Sequence, residues 1–290
     1  MPPAKFSGQP SDKVKAACRC DPNGVKMLEE PNLGDLEKLE HYAFLNKLLQ
    51  LVVGVIGKGH DGKYGSQIGT GSFVRFHGIR GILTAQHVVE GCSESEMHFF
   101  PPSPNIQIEG PYTRPTKALA GRRTIPISQI WQDPDVDLAF AMIREDADID
   151  HFWTFQDLIS SPSTPAVGEK CTMIGFPFDL SRVSSHSEGR VNLSVRRRHE
   201  LPIVVEPSRF RSDKFDPAVH FAVTFPSAGK FGAGGFSGSA LWRCGRLEQG
   251  IWNANPELLG VVVTELKGLL KAVGTQRVLE FLHAQRSSRV

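Results

Sequence analysis

Gly235-Phe236-Ser237-Gly238-Ser239-Ala240 sets one serine hydroxyl among small residues, at the end of a glycine-rich approach through Gly229, Gly232 and Gly234. Two earlier stretches complete a pattern. Thr84-Ala85-Gln86-His87-Val88-Val89 offers an imidazole, and Asp135-Val136-Asp137-Leu138-Ala139 offers a carboxylate. A serine hydroxyl is a weak nucleophile at neutral pH and needs a base within hydrogen-bond reach, itself held in one tautomer. His87 can take the proton of Ser237, and Asp137 can accept the other ring N–H of His87. The order His, Asp, Ser along the chain separates one serine-nucleophile architecture from the others.

Each of these residues taken singly has a plain structural reading: a histidine after a strand, an aspartate in a turn, a serine in a flexible loop. Their joint occurrence in one order carries the chemical reading. A developing oxyanion also needs donors already in place, which the backbone N–H groups of Gly235 and Ser237 can supply. Glycine lets the chain turn there without a Cβ clash.

Between these stretches the chain reads as short apolar runs punctuated by glycine: 52–56, 69–76, 81–85, 136–143, 171–176, 201–205, 219–224, 240–242 and 259–264. With 28 glycines and 20 prolines and little helical pattern between the runs, the sequence predicts an all-β protein of barrel or sandwich type. Asn32 or Asp35 can cap a helix through about Leu49, and Thr275 to Gln285 reads as a closing helix with Val278, Phe281 and Leu282 on one face. Residues 1–31 are polar and without periodicity. Ser161-Pro162-Ser163-Thr164-Pro165 is a turn-rich break between two β halves. The segment from Ser181 to Pro217, with Arg196-Arg197-Arg198, reads as a solvated basic loop.

Composition narrows the function classes. Lys and Arg number 33 against 31 Asp and Glu, a net charge of +2, so no global charge draws the chain to nucleic acid or a membrane surface. The longest apolar run, 48–56, is too short to span a bilayer, and residues 1–15 lack the apolar core of a signal peptide. The five cysteines are irregularly spaced and do not form a disulfide framework; Cys18-Arg-Cys20 has no second pair to complete a zinc site. A cytoplasmic protein in a reducing compartment is expected, without metal or cofactor.

The motifs resemble those of the chymotrypsin/trypsin-like serine peptidases, nearest to disulfide-free bacterial members such as the HtrA protease domain. The resemblance runs from about Val52 to Leu282. Gly69-Thr70-Gly71-Ser72-Phe73-Val74 is similar to the strand before the family histidine, Thr84-Ala85-Gln86-His87-Val88 to its Thr-Ala-x-His motif, and Asp137-Leu138-Ala139 to its Asp-(Leu/Ile)-Ala motif. Val167-Gly168-Glu169 through Phe176-Pro177 resembles the strand opening the second barrel, and Gly235-x-Ser237-Gly238-Ser239 the nucleophile loop. The resemblance implies two antiparallel six-stranded β-barrels in a chymotrypsin-like fold. Residues 1–48 would form an N-terminal helical extension, 49–162 the barrel with His87 and Asp137, and 163–290 the barrel with Ser237 and a C-terminal helix.

It also implies a serine endopeptidase acting on protein or peptide substrates. The catalytic residues would be His87, Asp137 and Ser237, with Gly235 and Ser237 as oxyanion donors. A substrate pocket would be walled by the segment around Phe231 and by Val263, Thr264 and Glu265. Phe231 at its base favours a small or apolar residue before the scissile bond, while Glu265 at its rim favours a basic one. Asp135 competes for the carboxylate role, but the motif assigns that role to the residue directly before Leu-Ala. Phe236 stands where zymogen-type relatives carry an aspartate that pairs with a newly cut N-terminus, so activation by that ion pair is not expected.

Two other readings stand beside this one. The first is a catalytically silent or conditionally activated binding homologue of the same fold, with the N-terminal segment as candidate contact for a regulatory partner. The second is an α/β-hydrolase esterase, which requires an acid and then a histidine after the serine. Here only His283 and no Asp follows Ser237.

Overall fold

Runs rich in Val, Ile and Phe, cut by glycine turns, favour pleated segments buried on one or both faces, and the chain folds accordingly. The computed structural model describes residues 19–20, 26–27, 43–58, 64–90, 98–100, 125–147, 154–158, 162–180, 182–185, 191–194, 197–243, 247–248, 251–252 and 255–288. Two units are present. Residues 1–42 form one, in which strands β1 (Arg19–Cys20) and β2 (Lys26–Met27) pair antiparallel. Residues 43–290 form the other.

The larger unit opens with helical residues 43–49 (α1), which bury Phe44, Leu45 and Leu48. The start expected at Asn32 or Asp35 lies outside the described residues. Then follow β3 (Val52–Lys58), β4 (Tyr64–Phe76), β5 (Ile79–Ala85), the short helix α2 (Gln86–Val89), β6 (His98–Phe100), β7 (Ile127–Asp133), β8 (Leu138–Ile143) and β9 (Gln156–Asp157). They make one seven-stranded sheet in the order β6-β3-β4-β5-β8-β7, with β9 pairing parallel to β4. All six residues of β8 are buried, which is why this strand reads as a continuous apolar run.

The second sheet is built from β10 (Cys171–Gly175), β13 (Arg198–Glu200), β14 (Val204–Val205), β15 (His220–Thr224), β16 (Ala240–Arg243), β19 (Glu257–Leu266) and β20 (Leu269–Gly274), in the order β13-β10-β16-β19-β20-β15-β14. Between them lie two small hairpins, β11 (Arg182–Ser185) with β12 (Val191–Ser194), and β17 (Leu247–Glu248) with β18 (Ile251–Trp252). The fold is all-β and chymotrypsin-like, with two sheets of seven strands where six were expected. All named strand pairings except β4–β9 are antiparallel, which is incompatible with the parallel sheet of an α/β-hydrolase.

The helix α3 (Thr275–Ser287) closes the described chain two residues beyond its expected end and buries Val278, Leu279, Phe281 and Leu282. These join one core cluster with Phe73, Val53 and Phe140 of the first sheet and with Trp242, Val261 and Val263 of the second. A second cluster around Met173, Val223, Phe236 and Val262 fills the second sheet alone. The basic segment 181–217 departs from its reading as a loop. It carries the β11–β12 hairpin and β13 as well as β14 within the apolar run 201–205, and in β13 Arg198 is neutralised by Glu200, 2.9 Å away and 4% exposed.

Candidate functional site

The Thr84-Ala85 end of β5 runs straight into α2, so His87 stands on the first turn beyond a buried strand. The turn before β8 brings the carboxylate to it. Asp137 has φ of 60°, a left-handed conformation that Asp and Asn tolerate better than most side chains. The backbone N–H of His87 donates to Asp137 Oδ1 at 2.9 Å, and the Gln86 N–H donates to the Asp137 carbonyl at 3.1 Å. His87 Nδ1 lies 2.7 Å from Asp137 Oδ2 and 3.0 Å from Oδ1. With a carboxylate as its neighbour, Nδ1 carries the proton, which leaves Nε2 as the basic nitrogen of neutral His87. Asp135 makes a different contact: its N–H donates to Asp133 Oδ1 at 3.2 Å.

The nucleophile loop is held by buried contacts from both sheets. Thr70 Oγ1, fully buried in β4, donates to the Gly235 carbonyl at 2.6 Å and accepts from the Phe176 N–H at 3.1 Å. The Thr70 N–H donates to the Ser237 carbonyl at 2.8 Å, and the Gly238 N–H to Val262 O at 2.7 Å. Gly235 has φ of 91°, and a Cβ there would collide with the Phe176 carbonyl oxygen. Gly238 has φ of 84°, with Thr70 O and Thr84 Oγ1 in the way of a side chain. Among the described residues the N–H groups of Gly235 and Ser237 donate to no protein acceptor, and neither does the Ser237 hydroxyl.

Phe236 accounts for the missing aspartate of zymogen-type relatives. Its side chain is fully buried, with its ring 5.4 Å from that of Phe225 and 6.4 Å from that of Phe231. The loop is thereby anchored by apolar burial. Outside it, Asp179 Oδ2 accepts the Gly232 N–H at 2.8 Å and the Phe178 N–H donates to Gly234 O at 2.7 Å.

His87, Asp137 and Ser237 line one cleft of about 870 Å³, together with Val263, Thr264 and Glu265. Gly234 lines it as well. Phe231 is not brought to this cleft. Its ring packs beside Phe225 and Phe236, with the Arg198 guanidinium 5.6 Å from its centroid. Glu265 Oε1 is tied to the Gly268 N–H at 2.6 Å within its own turn.

The sequence reading passed over Thr70, Asp179, His220 and Lys271, the last two of which also line the cleft. Thr70 had a signal, since a threonine between two glycines in an apolar strand buries a hydroxyl that must find a partner. The others depend on loop geometry and left no local signature. Among the described residues no cluster of His, Cys, Asp and Glu is placed to hold a metal ion, and no helix is long and apolar enough to cross a membrane.

The family model of the trypsin-like peptidase domain matches residues 69–247, more than half of the chain. No curated protein matches. Among solved structures, the scabies mite inactivated protease paralogue S-I1 superposes with a TM-score of 0.56 at 12% identity, covering 83% of this chain and 96% of its own. The protein GrC superposes with a TM-score of 0.52 at 16% identity, covering 83% of this chain and 94% of its own. At these identities the two structures speak for the fold alone. The matched span contains the histidine, aspartate and serine motifs in order, and the chain belongs to the trypsin-like peptidase domain family.

Proposed function

We propose that the chain is a serine endopeptidase of trypsin-like type whose base is preassembled and whose nucleophile engages on binding substrate or a partner. The observation that carries this reading is the 2.7 Å contact of His87 Nδ1 with Asp137 Oδ2, in a cleft that Ser237 also lines. Ser237 Oγ attacks the peptide carbonyl carbon as its proton passes to His87 Nε2. The oxyanion is received by the N–H groups of Gly235 and Ser237, which no protein acceptor competes for among the described residues. Collapse breaks the C–N bond, and His87 returns the proton to the leaving amine. Water, deprotonated by His87, then cleaves the acyl ester and restores the serine. Asp137 holds the tautomer and stabilises the imidazolium throughout.

The rest state follows from the Ser237 hydroxyl, which has no hydrogen-bond partner among the described residues. Catalytic hydrogen bonds often tighten only in the substrate complex. The same observation favours a second reading, a catalytically silent relative that binds peptides. A scabies mite paralogue of the same fold is itself an inactivated protease, so the fold is compatible with such a role. Either reading keeps the proposal of two barrel domains divided near 162/163, of the disulfide-free type related to HtrA, with the two seven-stranded sheets as their support. A reducing compartment such as the cytoplasm is part of the same proposal.

A fluorophosphonate probe tests the proposal. Labelling of the wild type and none of Ser237→Ala is expected. Equal labelling of both would overturn the assignment of the nucleophile. Peptide binding without any labelling would favour the silent reading.

A further inference from the structure

The cleft carries a corner of hydrogen-bond donors for which the triad has no use. On β20, Lys271 pairs with Ala222 of β15, and His220 pairs with Val273. Alternate residues of a strand point to one face, so Lys271 and His220 are diagonal neighbours on the same side of the sheet. Both line the cleft that holds His87 and Ser237, and Lys214 lines it beside them.

Each group is short of an acceptor. Lys271 Nζ donates to the Lys214 carbonyl at 3.2 Å, and among the described residues no carboxylate lies within ion-pair distance of it. Burial lowers the pKa of Lys271; Asp137 opposes this and Lys214 adds to it. His220 is 8% exposed. Its Nδ1 accepts the Asp216 N–H at 3.1 Å, so the neutral ring carries its proton on Nε2. That Nε2–H is buried without a partner among the described residues. A buried donor left unpaired is destabilising, and an incoming acceptor relieves that cost.

The acidic residues of the cleft are committed elsewhere or stand at its exposed rim. Asp137 holds His87, Glu265 binds its own turn, and Asp216 Oδ1 accepts the Ala218 N–H at 2.9 Å. Asp135 and Asp213 are exposed.

We propose that Lys271, with the His220 Nε2–H beside it, forms a subsite for an acidic side chain of the peptide substrate. The inference rests on the reading of this cleft as a peptide site and names the substrate class that it prefers. A carboxylate supplies a counter-charge within ion-pair distance of Lys271, closer than Asp137 offers, and an acceptor for His220. The neutral amide of glutamine satisfies hydrogen bonding alone.

Fluorogenic peptides with Glu, Gln or Lys scanned through each position flanking the scissile bond test this. At one position the wild type should favour Glu over Gln by about tenfold in kcat/KM, as a charge-assisted hydrogen bond implies. Lys271→Met should bring that ratio near unity, and Lys271→Glu should turn the preference toward Lys. Equal rates for Glu and Gln at every position, or a Glu preference that survives Lys271→Met, would overturn the inference. The same peptides are also titrated against Ser237→Ala with and without Lys271→Met. A Glu-over-Gln binding preference lost with Lys271 would support the subsite even if no peptide is cut, an outcome in which only the endopeptidase reading fails. Equal binding of Glu and Gln peptides would count against the subsite.

Discussion

The buried hydroxyl of Thr70 donates to the carbonyl of Gly235 at 2.6 Å and so ties the first sheet to the turn that presents Ser237. The two residues are 165 positions apart. The same hydroxyl accepts the Phe176 N–H, so one atom satisfies two buried backbone groups. The shape of the Gly235–Gly238 turn is therefore a property of the packed pair of sheets, not of its glycines alone.

Thr70→Val keeps the shape of the side chain but leaves the Gly235 carbonyl and the Phe176 N–H unsatisfied. Each buried orphan costs about 1–3 kcal/mol. We expect a lower urea midpoint and slower fluorophosphonate labelling. Thr70→Ser keeps the hydroxyl and should stay close to wild type in labelling. If Thr70→Val matches wild type in both measurements, the hydroxyl does not hold the loop.

Gly235→Ala meets two obstacles at once. The backbone has φ of 91°, and the new methyl would strike the Phe176 carbonyl, a backbone atom with no rotamer to move. The expected outcome is loss of labelling with a reduced thermal midpoint. Gly229→Ala is the control, because it shares a positive φ of 82° but meets no atom within 4 Å. Its cost should be backbone strain alone, with labelling retained.

Asp137→Asn is a clean probe of the base. Asparagine accepts the left-handed φ of 60° that this turn needs, so the fold should persist by circular dichroism. The amide removes the charge that stabilises the imidazolium and presents the wrong partner to Nδ1. Turnover is expected to fall on the order of 10⁴-fold, the loss typical of a triad whose histidine is held in the wrong tautomer. Full turnover in Asp137→Asn would place the orienting group elsewhere.

Burial, followed by the nearby charge of Lys271, lowers the pKa of His220 from the ordinary 6.5. A histidine held neutral in the native state binds fewer protons than its unfolded counterpart once the pH falls below the unfolded pKa. Stability is therefore intact above about pH 6.5 and lost as the pH drops toward the depressed native value. Urea unfolding at about pH 7 and pH 5 should show a smaller acid loss in His220→Gln than in wild type. An equal loss in both proteins would remove His220 as a cause.

Much of this was legible in the residues themselves. The β-rich character followed from apolar runs cut by glycine, and the sheets formed where most of those runs stand. Strands β7 and β20 escaped notice. Ile127–Asp133 mixes exposed polar with buried residues, and Leu269–Gly274 carries Lys271 in its midst. Periodicity over such short segments is weak, and only pairing with β8 and β19 gives them their conformation. Phe231, expected at the pocket base, shows the same dependence on packing: the motif names a chain position, while the direction of the ring is set by Phe225 and Phe236 beside it.

The chain alone determined which chemical groups exist and in what order, because motif residues and turn glycines act through neighbours one or two positions away. Its motifs pointed to Asp137 rather than Asp135 as the candidate carboxylate. Only the tertiary structure decided that Thr70 braces Gly235, and that Lys271 and His220 share one corner of the cleft. Such contacts join residues far apart in sequence, and their energy appears only when water is excluded between two packed sheets.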